Sequence, residues 1–575
     1  MMLPVNLHSR LFSLFFPLFL LTLFGTVAAN AANADFDGAR VDSVSVSFGG
    51  GQENSTYRNA VLKSFSTVPG ERFNQTQSDI YLSKVKQLKF VKYADYSVQP
   101  SGNGDLAIVL NVVLSDVATS LSNKPIGVLS EGNLSNFPTL YADDRTVFQG
   151  KLENRSMFFS NTNAFFGNPE VLTAGNPLAE SASGRDGTDS WLESSLEAGV
   201  YALSSLTDRV SVFGGVSYIE SGSVGDELFT DRTRTHGGFE DAYFGTMGSD
   251  TTASGGIRQA SILYGRKAFQ VDNGMILRLS SANGGDRASL QSNPRNAAES
   301  LFHLQFVYDK HKMELFRLDP DELEPINSKT ILHGINYEFQ PTPVARIGAM
   351  FLRVPESYYS YYTTDATYSR KGLRVYDLRA AYEPTPDVSN IYLRGEIAKQ
   401  TNEYFDMNAH AGYAEIGYRF SDSSWKPTPS YRYSVFSGDK SGTSTYERWD
   451  PLYAGGSGDE WVQGLNQYKV IQTSNVIAHR FMLRFQPSAR WDFTPQLWFF
   501  RADSLNNLGG AQALSMLQSY DLGRELNVTA RYVSSRDLIF VFSAAYTQPG
   551  EAIQLALDNN YKNWFSSSAL MILRF

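Results

Sequence analysis

From residue 143 to the carboxy terminus, short runs of alternating apolar and polar positions are separated by Gly, Asn, Asp, Ser and Pro. Period-two alternation predicts β-strands with two unlike faces, and no helix of any length fits this region. Strands are predicted from near Thr146 and over 191–203, 210–219, 257–269, 275–280, 301–308, 313–318, 331–339, 345–354 and 373–382. Further strands are predicted over 391–399, 413–420, 429–436, 476–485, 493–502, 525–533, 538–547 and 564–575. About 18 strands result, an even number that suits an antiparallel barrel formed by one chain.

The two faces are legible in several strands. Over 478–485, Phe481, Leu483 and Phe485 share one side while Arg480, Met482 and Arg484 share the other. An arginine turned to lipid near the bilayer midplane costs about 2 to 4 kcal/mol, so the arginine side is expected to line the lumen. By the same argument Ile391 and Leu393 face outward with Arg394 and Glu396 inward. Ile416, Tyr418 and Phe420 face outward with Glu415 and Arg419 inward, and Arg432 between two tyrosines points inward. Asp309–Lys312 reads as a short turn and Ser437–Thr473 as a long loop on the opposite end.

Before residue 143 the pattern changes. Arg10 precedes an apolar run from Leu11 to Val27 and then a small-residue stretch with A-x-A sites at Ala31 and Ala34, the order of a secretory signal peptide over residues 1–34. Residues 35–118 predict a β-α-α-β-β unit with helices over 55–65 and 76–88 and strands from Val41, over 91–98 and over 106–114. Residues 119–142 read as a linker to a barrel domain over 143–575.

Composition narrows the function. The 575 residues include no Cys, 31 Tyr, 38 Phe and 46 Gly, which excludes disulfides and thiolate metal sites. A mean hydropathy of −0.27 argues against a bundle of membrane helices but is compatible with a barrel, whose strands give lipid only alternate residues. The net charge of −9 disfavours nucleic-acid binding. The seven histidines are scattered and make no catalytic motif with a nucleophile, so the chain is not expected to be an enzyme and no cofactor or metal is expected. Asp439, Asp450 and Asp459 read as solvated loop acids.

The carboxy-terminal third carries a family resemblance. Tyr431-Arg432-Tyr433-Ser434-Val435-Phe436-Ser437-Gly438-Asp439, Trp449-Asp450-Pro451-Leu452, Asp459 to Gly464, Ser474-Asn475-Val476, Pro495 to Trp498, Leu522 to Leu526 and Tyr546 to Gly550 resemble the alginate-export barrel family. Arg258-Gln259-Ala260 and Tyr264-Gly265-Arg266-Lys267 echo it more loosely. The resemblance implies an all-β transmembrane antiparallel barrel in the bacterial outer membrane that exports an anionic, alginate-like exopolysaccharide.

A lumen attracting such a polymer would use guanidinium groups, which pair with carboxylates in a fixed fork; the candidates are Arg258, Arg266, Arg394, Arg419, Arg432, Arg480 and Arg484. The alternative for single residues is that Arg and Glu cross-link the wall. Ala569, Met571, Leu573 and the terminal Phe575 share one face, as in the end signal of outer-membrane barrels, which implies the barrel-assembly machinery and outer-membrane lipid as partners. The β-α-α-β-β unit resembles a POTRA domain, a periplasmic module whose sheet edge receives a protein partner. Alginate exporters lack such a module, which keeps open an Omp85-like or two-partner protein translocation pore, although no Arg-Gly-aromatic loop tip is found. A general anion-selective porin is the other alternative.

Overall fold

The computed structural model describes residues 39–49, 55–71, 73, 75–86, 88, 91–101, 105–114, 139–142, 145–179, 187–207, 209–251, 257–279, 284–342, 344–384, 389–420, 422–455, 464–488, 490–534 and 538–574. The segment 1–34 read as a signal peptide, residues 119–138 of the stretch read as a linker, Asp459 and the terminal Phe575 lie outside the described residues. The chain divides into two compact units, Met1–Ser115 and Asp116–Phe575.

In the first unit β1 (Val41–Gly49), α1 (Ser55–Phe65), α2 (Gln75–Lys86), β2 (Val91–Ser101) and β3 (Asp105–Leu114) follow one another. β3 is the central strand, parallel to β1 and antiparallel to β2. Val61 and Phe65 of α1, four residues apart, share a helix face, as do Leu82 and Val85 of α2. All four are buried in one core with Phe73, Tyr96, Ile108 and Leu110. The unit is a small α+β domain.

The second unit is a closed antiparallel barrel of 18 strands. A short β4 (Thr139–Ala142) flanks the first of them, β5 (Thr146–Thr162), and occupies the end of the stretch read as linker. There follow β6 (Thr188–Ser205), β7 (Val210–Gly225), β8 (Arg234–Thr251), β9 (Ile257–Arg266), β10 (Ser300–Tyr308), β11 (His311–Asp319), β12 (Ile331–Thr342) and β13 (Ala345–Glu356). A small hairpin, β14 (Ser360–Tyr362) and β15 (Thr367–Ser369), lies in the next connection. The wall continues with β16 (Leu373–Tyr382), β17 (Ile391–Asn402), β18 (Ala409–Tyr418), β19 (Thr428–Phe436), β20 (Val476–Ser488), β21 (Trp491–Arg501), β22 (Asp521–Val533), β23 (Leu538–Pro549) and β24 (Trp564–Arg574). β24 closes on β5, with Phe565 opposite Thr162 and Arg574 opposite Glu153. Closure pairs the backbone of both edge strands, the condition for a sheet to sit in hydrocarbon.

The wall's solvent preferences are inverted relative to a water-soluble barrel. Large apolar side chains such as Phe244 (68 % exposed) and Ile397 (64 %) look outward, while Glu197, Gln400, Glu415 and Arg432 look inward and are buried. Only lipid makes such an exterior favourable. Connections alternate in length. The short turn 309–310 stands at one end, and the longer connections from β5 to β6, β9 to β10 and β19 to β20 leave the other. Exposed Tyr308, Tyr382, Tyr418 and Trp425 gather at the turn end, the composition of an aromatic girdle. Short turns face the periplasm in such barrels, so the long loops mark the outer side.

Two errors in the strand prediction cancel in the count. β8 was not predicted, because Gly237, Gly238, Gly245 and Gly248 dilute its alternation; a Cβ at Gly245 would run into the Phe213 ring and the Ile262 carbonyl. The apolar run at 275–280 is no wall strand. Met275, Ile276, Leu277 and Leu279 are buried within the long connection between β9 and β10, where apolar residues pack against the loops that fill the barrel.

Candidate functional site

The inward faces of β17 to β22 place Arg394, Glu415, Arg432, Arg480, Trp498 and Glu525 opposite one another in a single cross-strand row. Glu415 accepts a hydrogen bond from Arg480 Nη2 at 2.8 Å and another from the Tyr392 hydroxyl at 3.1 Å. The Arg432 and Arg480 guanidinium carbons lie 5.6 and 5.8 Å from the centre of the Trp498 ring. Both arginines are buried. Arg480 cross-links the wall through a carboxylate and an aromatic face, and Arg432 packs its guanidinium over the Tyr413 and Trp498 rings.

The other sequence candidates are distributed differently. Arg394 and Arg419 point inward at the turn end. Arg394 donates from Nε to Glu383 at 2.8 Å, and Arg419 donates from Nη1 to the Pro384 carbonyl at 2.6 Å. Arg484, about half exposed, donates from Nε to Asp492 at 2.8 Å at the same mouth. Arg266 sits at the loop end of β9, tied to Glu299 and, at 2.7 Å, to Asp321. Arg258 corrects the prediction. It shares the exposed face of β9 with Ile262 and Tyr264, stands 3.7 Å from Asp250, and faces outward at the turn-side rim rather than into the lumen. A cation is tolerated there because the rim lies at the interface rather than the midplane.

Beside and beyond the arginine row the wall mixes charges. Arg379 donates to Asp377 at 2.6 Å and lies 3.2 Å from Glu338; Lys312 bridges Glu314 and Glu338 at 3.1 and 3.2 Å. Lys151 meets Glu197 at 2.7 Å, and Tyr201 donates to Asp241 at 2.6 Å.

Three inward carboxylates hold loops inside the barrel, and sequence reasoning gave none of them a role. Glu193 accepts the backbone N–H groups of Gln291 (3.0 Å) and Ser292 (2.8 Å), and Glu240 accepts those of Asn296 (2.6 Å) and Ala297 (2.9 Å). The same connection, 267–299, reaches the far wall, where Asn273 Nδ2 donates to the Tyr413 hydroxyl at 2.6 Å. Glu525 takes the N–H groups of Leu465 (2.6 Å), Asn466 (2.9 Å) and Gln467 (3.0 Å), along with Thr547 and Asn527 side-chain donors. Gly464, at φ +82°, is required beside it: a Cβ would press on the Glu525 carboxylate at 2.9 Å.

Asp450 and Asp439 are likewise buried rather than solvated. Asp450 receives a two-pronged bond from Arg370, Nε to Oδ2 at 2.7 Å and Nη2 to Oδ1 at 3.0 Å, and a third from the Tyr361 hydroxyl at 2.6 Å. Asp439 accepts Glu447 N–H and Asn506 Nδ2. Asp450 ties the connection after β19 to Arg370 and Tyr361, and Asp439 ties it to Asn506.

Between the β5, β23 and β24 wall and the two inserted loops lies a cavity of about 270 Å³. Its lining includes Arg155, Arg278 and Lys469 with Ser543, Ser566, Asn293 and Gln291, and among the described residues no carboxylate lines it. Lys469 stands on the short helix α3 (Tyr468–Ile471) of the 437–475 loop, and its ammonium is 5.8 Å from the ring centres of Phe159 and Trp564. Burial pulls its pKa down to about 7, against the attraction of Glu525. The amine therefore gains charge as pH falls through 7 and loses it above. Preference for anions over cations, read from the reversal potential in a salt gradient, is expected to rise by a few-fold from pH 8 to pH 6. Lys469→Gln should flatten that profile.

A closed 18-strand antiparallel barrel with an apolar exterior and a polar, loop-lined interior defines an outer-membrane pore. The alginate export profile matches residues 239–566, more than half of the chain, and the protein belongs to the alginate export family. Solved structures similar to it include OprD of Pseudomonas aeruginosa (13 % identity, 74 % of this chain and 95 % of that one, TM-score 0.41) and OccAB4 of Acinetobacter baumannii (8 %, 75 % and 99 %, 0.44). The outer membrane protein opdK of Pseudomonas aeruginosa is another (9 %, 74 % and 98 %, 0.43). No curated protein matches the chain.

Proposed function

We propose that this pore exports an anionic, alginate-like exopolysaccharide through its lumen. The observation that carries the reading is the cavity beside β24, which sets Arg155, paired with Glu153 at 2.7 Å, beside Arg278 and Lys469 together with hydroxyl and amide groups, and whose described lining residues include no acid. A uronate residue presents one carboxylate and several hydroxyls, and such a lining complements both. Arg394, Arg419 and Arg484 at the turn-side mouth raise the local concentration of a polyanion, whereas Arg432 and Arg480 keep the wall rigid. Carboxylates between these cations, such as Glu383 and Asp492, keep any one site from binding too tightly, as conduction requires.

The amino-terminal unit is proposed to be a POTRA-like module in the periplasm that receives a protein partner. Among the described residues its outer strands β1 and β2 each pair on one side only, with β3, which leaves each an edge for strand addition. Phe575 is proposed as the assembly signal of the barrel.

The test is current block in single-channel recordings. Oligouronates added on the turn side should interrupt the current at concentrations where neutral oligosaccharides of equal length do not. The double variant Arg278→Gln with Lys469→Gln should shorten the blocked events. Equal block by neutral and acidic chains would favour a general porin instead.

A further inference from the structure

Along the loop-side rim, one sector of the barrel exterior carries cations where an outer-membrane barrel ordinarily carries aromatic and aliphatic groups. Arg317, His333, Arg353 and Arg374 stand opposite one another on four adjacent strands, β11, β12, β13 and β16. Lys399 and His410 face each other on the next two, β17 and β18, one pleat further from the loops. That step follows the rim, because tilted strands displace successive register rows along the barrel axis. Arg317, Arg353, Lys399 and His410 are exposed, and all six share the outward face of their strands with residues such as Leu315, Ile335, Phe351, Tyr376 and Ile397.

Most of this charge is not neutralised by an acid of the protein. Among the described residues, no carboxylate is in ion-pair contact with Arg317, Arg353 or Lys399; Arg353 Nη2 contacts only His333 Nδ1, at 3.4 Å. Arg374 meets Glu403 at 3.0 Å, but both side chains are about half exposed, and such a pair is weak. The neighbouring acids, Asp319, Glu356 and Glu403, lie on the loop side of the row, away from the bilayer. Immediately on the membrane side, strands of this sector together with β19 form an apolar groove of about 970 Å³ lined by Ile335, Tyr337, Phe351, Leu378, Ile397 and Tyr433, with Ala349, Gly412 and Ala414 making room between them.

We infer that this sector is a binding surface for a phosphorylated glycolipid of the outer leaflet, of the lipid A type. The occupant must carry closely spaced anionic phosphates at headgroup depth and several acyl chains directly beneath. The row supplies guanidinium, ammonium and imidazole groups for the phosphates, and the groove receives the chains. A zwitterionic phospholipid matches the groove but not the row.

The test uses the purified full chain in detergent, titrated with hexa-acylated bis-phosphorylated lipid A and, separately, with the same lipid stripped of both phosphates; bound lipid is counted by native mass spectrometry. The bis-phosphorylated form should bind, and the stripped form should bind far more weakly. The triple variant Arg353→Gln, Arg374→Gln, Lys399→Gln should weaken the former on the order of 100-fold, at about fivefold per charge. Equal binding of the two lipids by the unaltered protein would overturn the proposal, whatever the variant does. Undiminished binding by a variant that retains its heat-modifiable gel mobility would overturn it as well.

Discussion

Replacing Glu525 by Ala is expected to open the pore. The carboxylate is fully buried and gathers five donors, three of them successive backbone N–H groups of the 464–467 segment. A buried donor left without a partner costs about 1 to 3 kcal/mol, so losing the acceptor for three at once favours release of the segment into water. Lys469 and its helix would leave the lumen with it. Single-channel conductance should rise by a clear multiple and the pH dependence of anion preference should vanish. Glu525→Gln keeps one carbonyl acceptor but turns an amide donor toward backbone donors, so an intermediate conductance is expected. An unchanged conductance in the Ala variant would show that the segment is held by packing alone.

The second large effect concerns stability. Arg370, in the connection carrying the β14–β15 hairpin, is buried over the Tyr359 ring at 3.8 Å while its fork grips Asp450. Arg370→Met would leave a buried carboxylate with its Tyr361 and backbone donors but no counter-charge. Breaking such a pair from one side costs about 3 to 5 kcal/mol. The thermal transition, followed by loss of the folded band on unheated gels, should fall markedly. Arg370→Met combined with Asp450→Asn should recover much of the loss, because no charge remains stranded. If the single and double variants are equally destabilised, Arg370 contributes through its stacking on Tyr359 and not through Asp450.

The alternation of strands was legible because each half-buried strand writes its two faces into successive residues. Arg394, Arg432, Arg480 and Arg484 could be turned inward for that reason, and the structure places them so. Arg258 failed the same logic because a cation near a strand end has no midplane penalty to reveal its side. β8 was invisible because its glycines serve neighbouring rings rather than its own pattern. The interior of the lumen was not legible at all. Glu193 and Glu525 look like any other inward polar residue, and their donors lie 98 and 60 residues away along the chain. Nor does local sequence distinguish an apolar run bound for the wall from one folded inside it. Met275 to Leu279 satisfies both readings until the loop is seen crossing the barrel.

What the lumen moves is tested most directly by efflux from proteoliposomes. Vesicles carrying the full chain and loaded with fluorescent oligouronate or with a neutral oligosaccharide of the same length report release of each through the barrel. An exporter of anionic polymer should release the oligouronate faster, and Lys469→Gln with Arg278→Gln should narrow the gap. Equal release of both sugars, unaffected by the variant, would contradict the account.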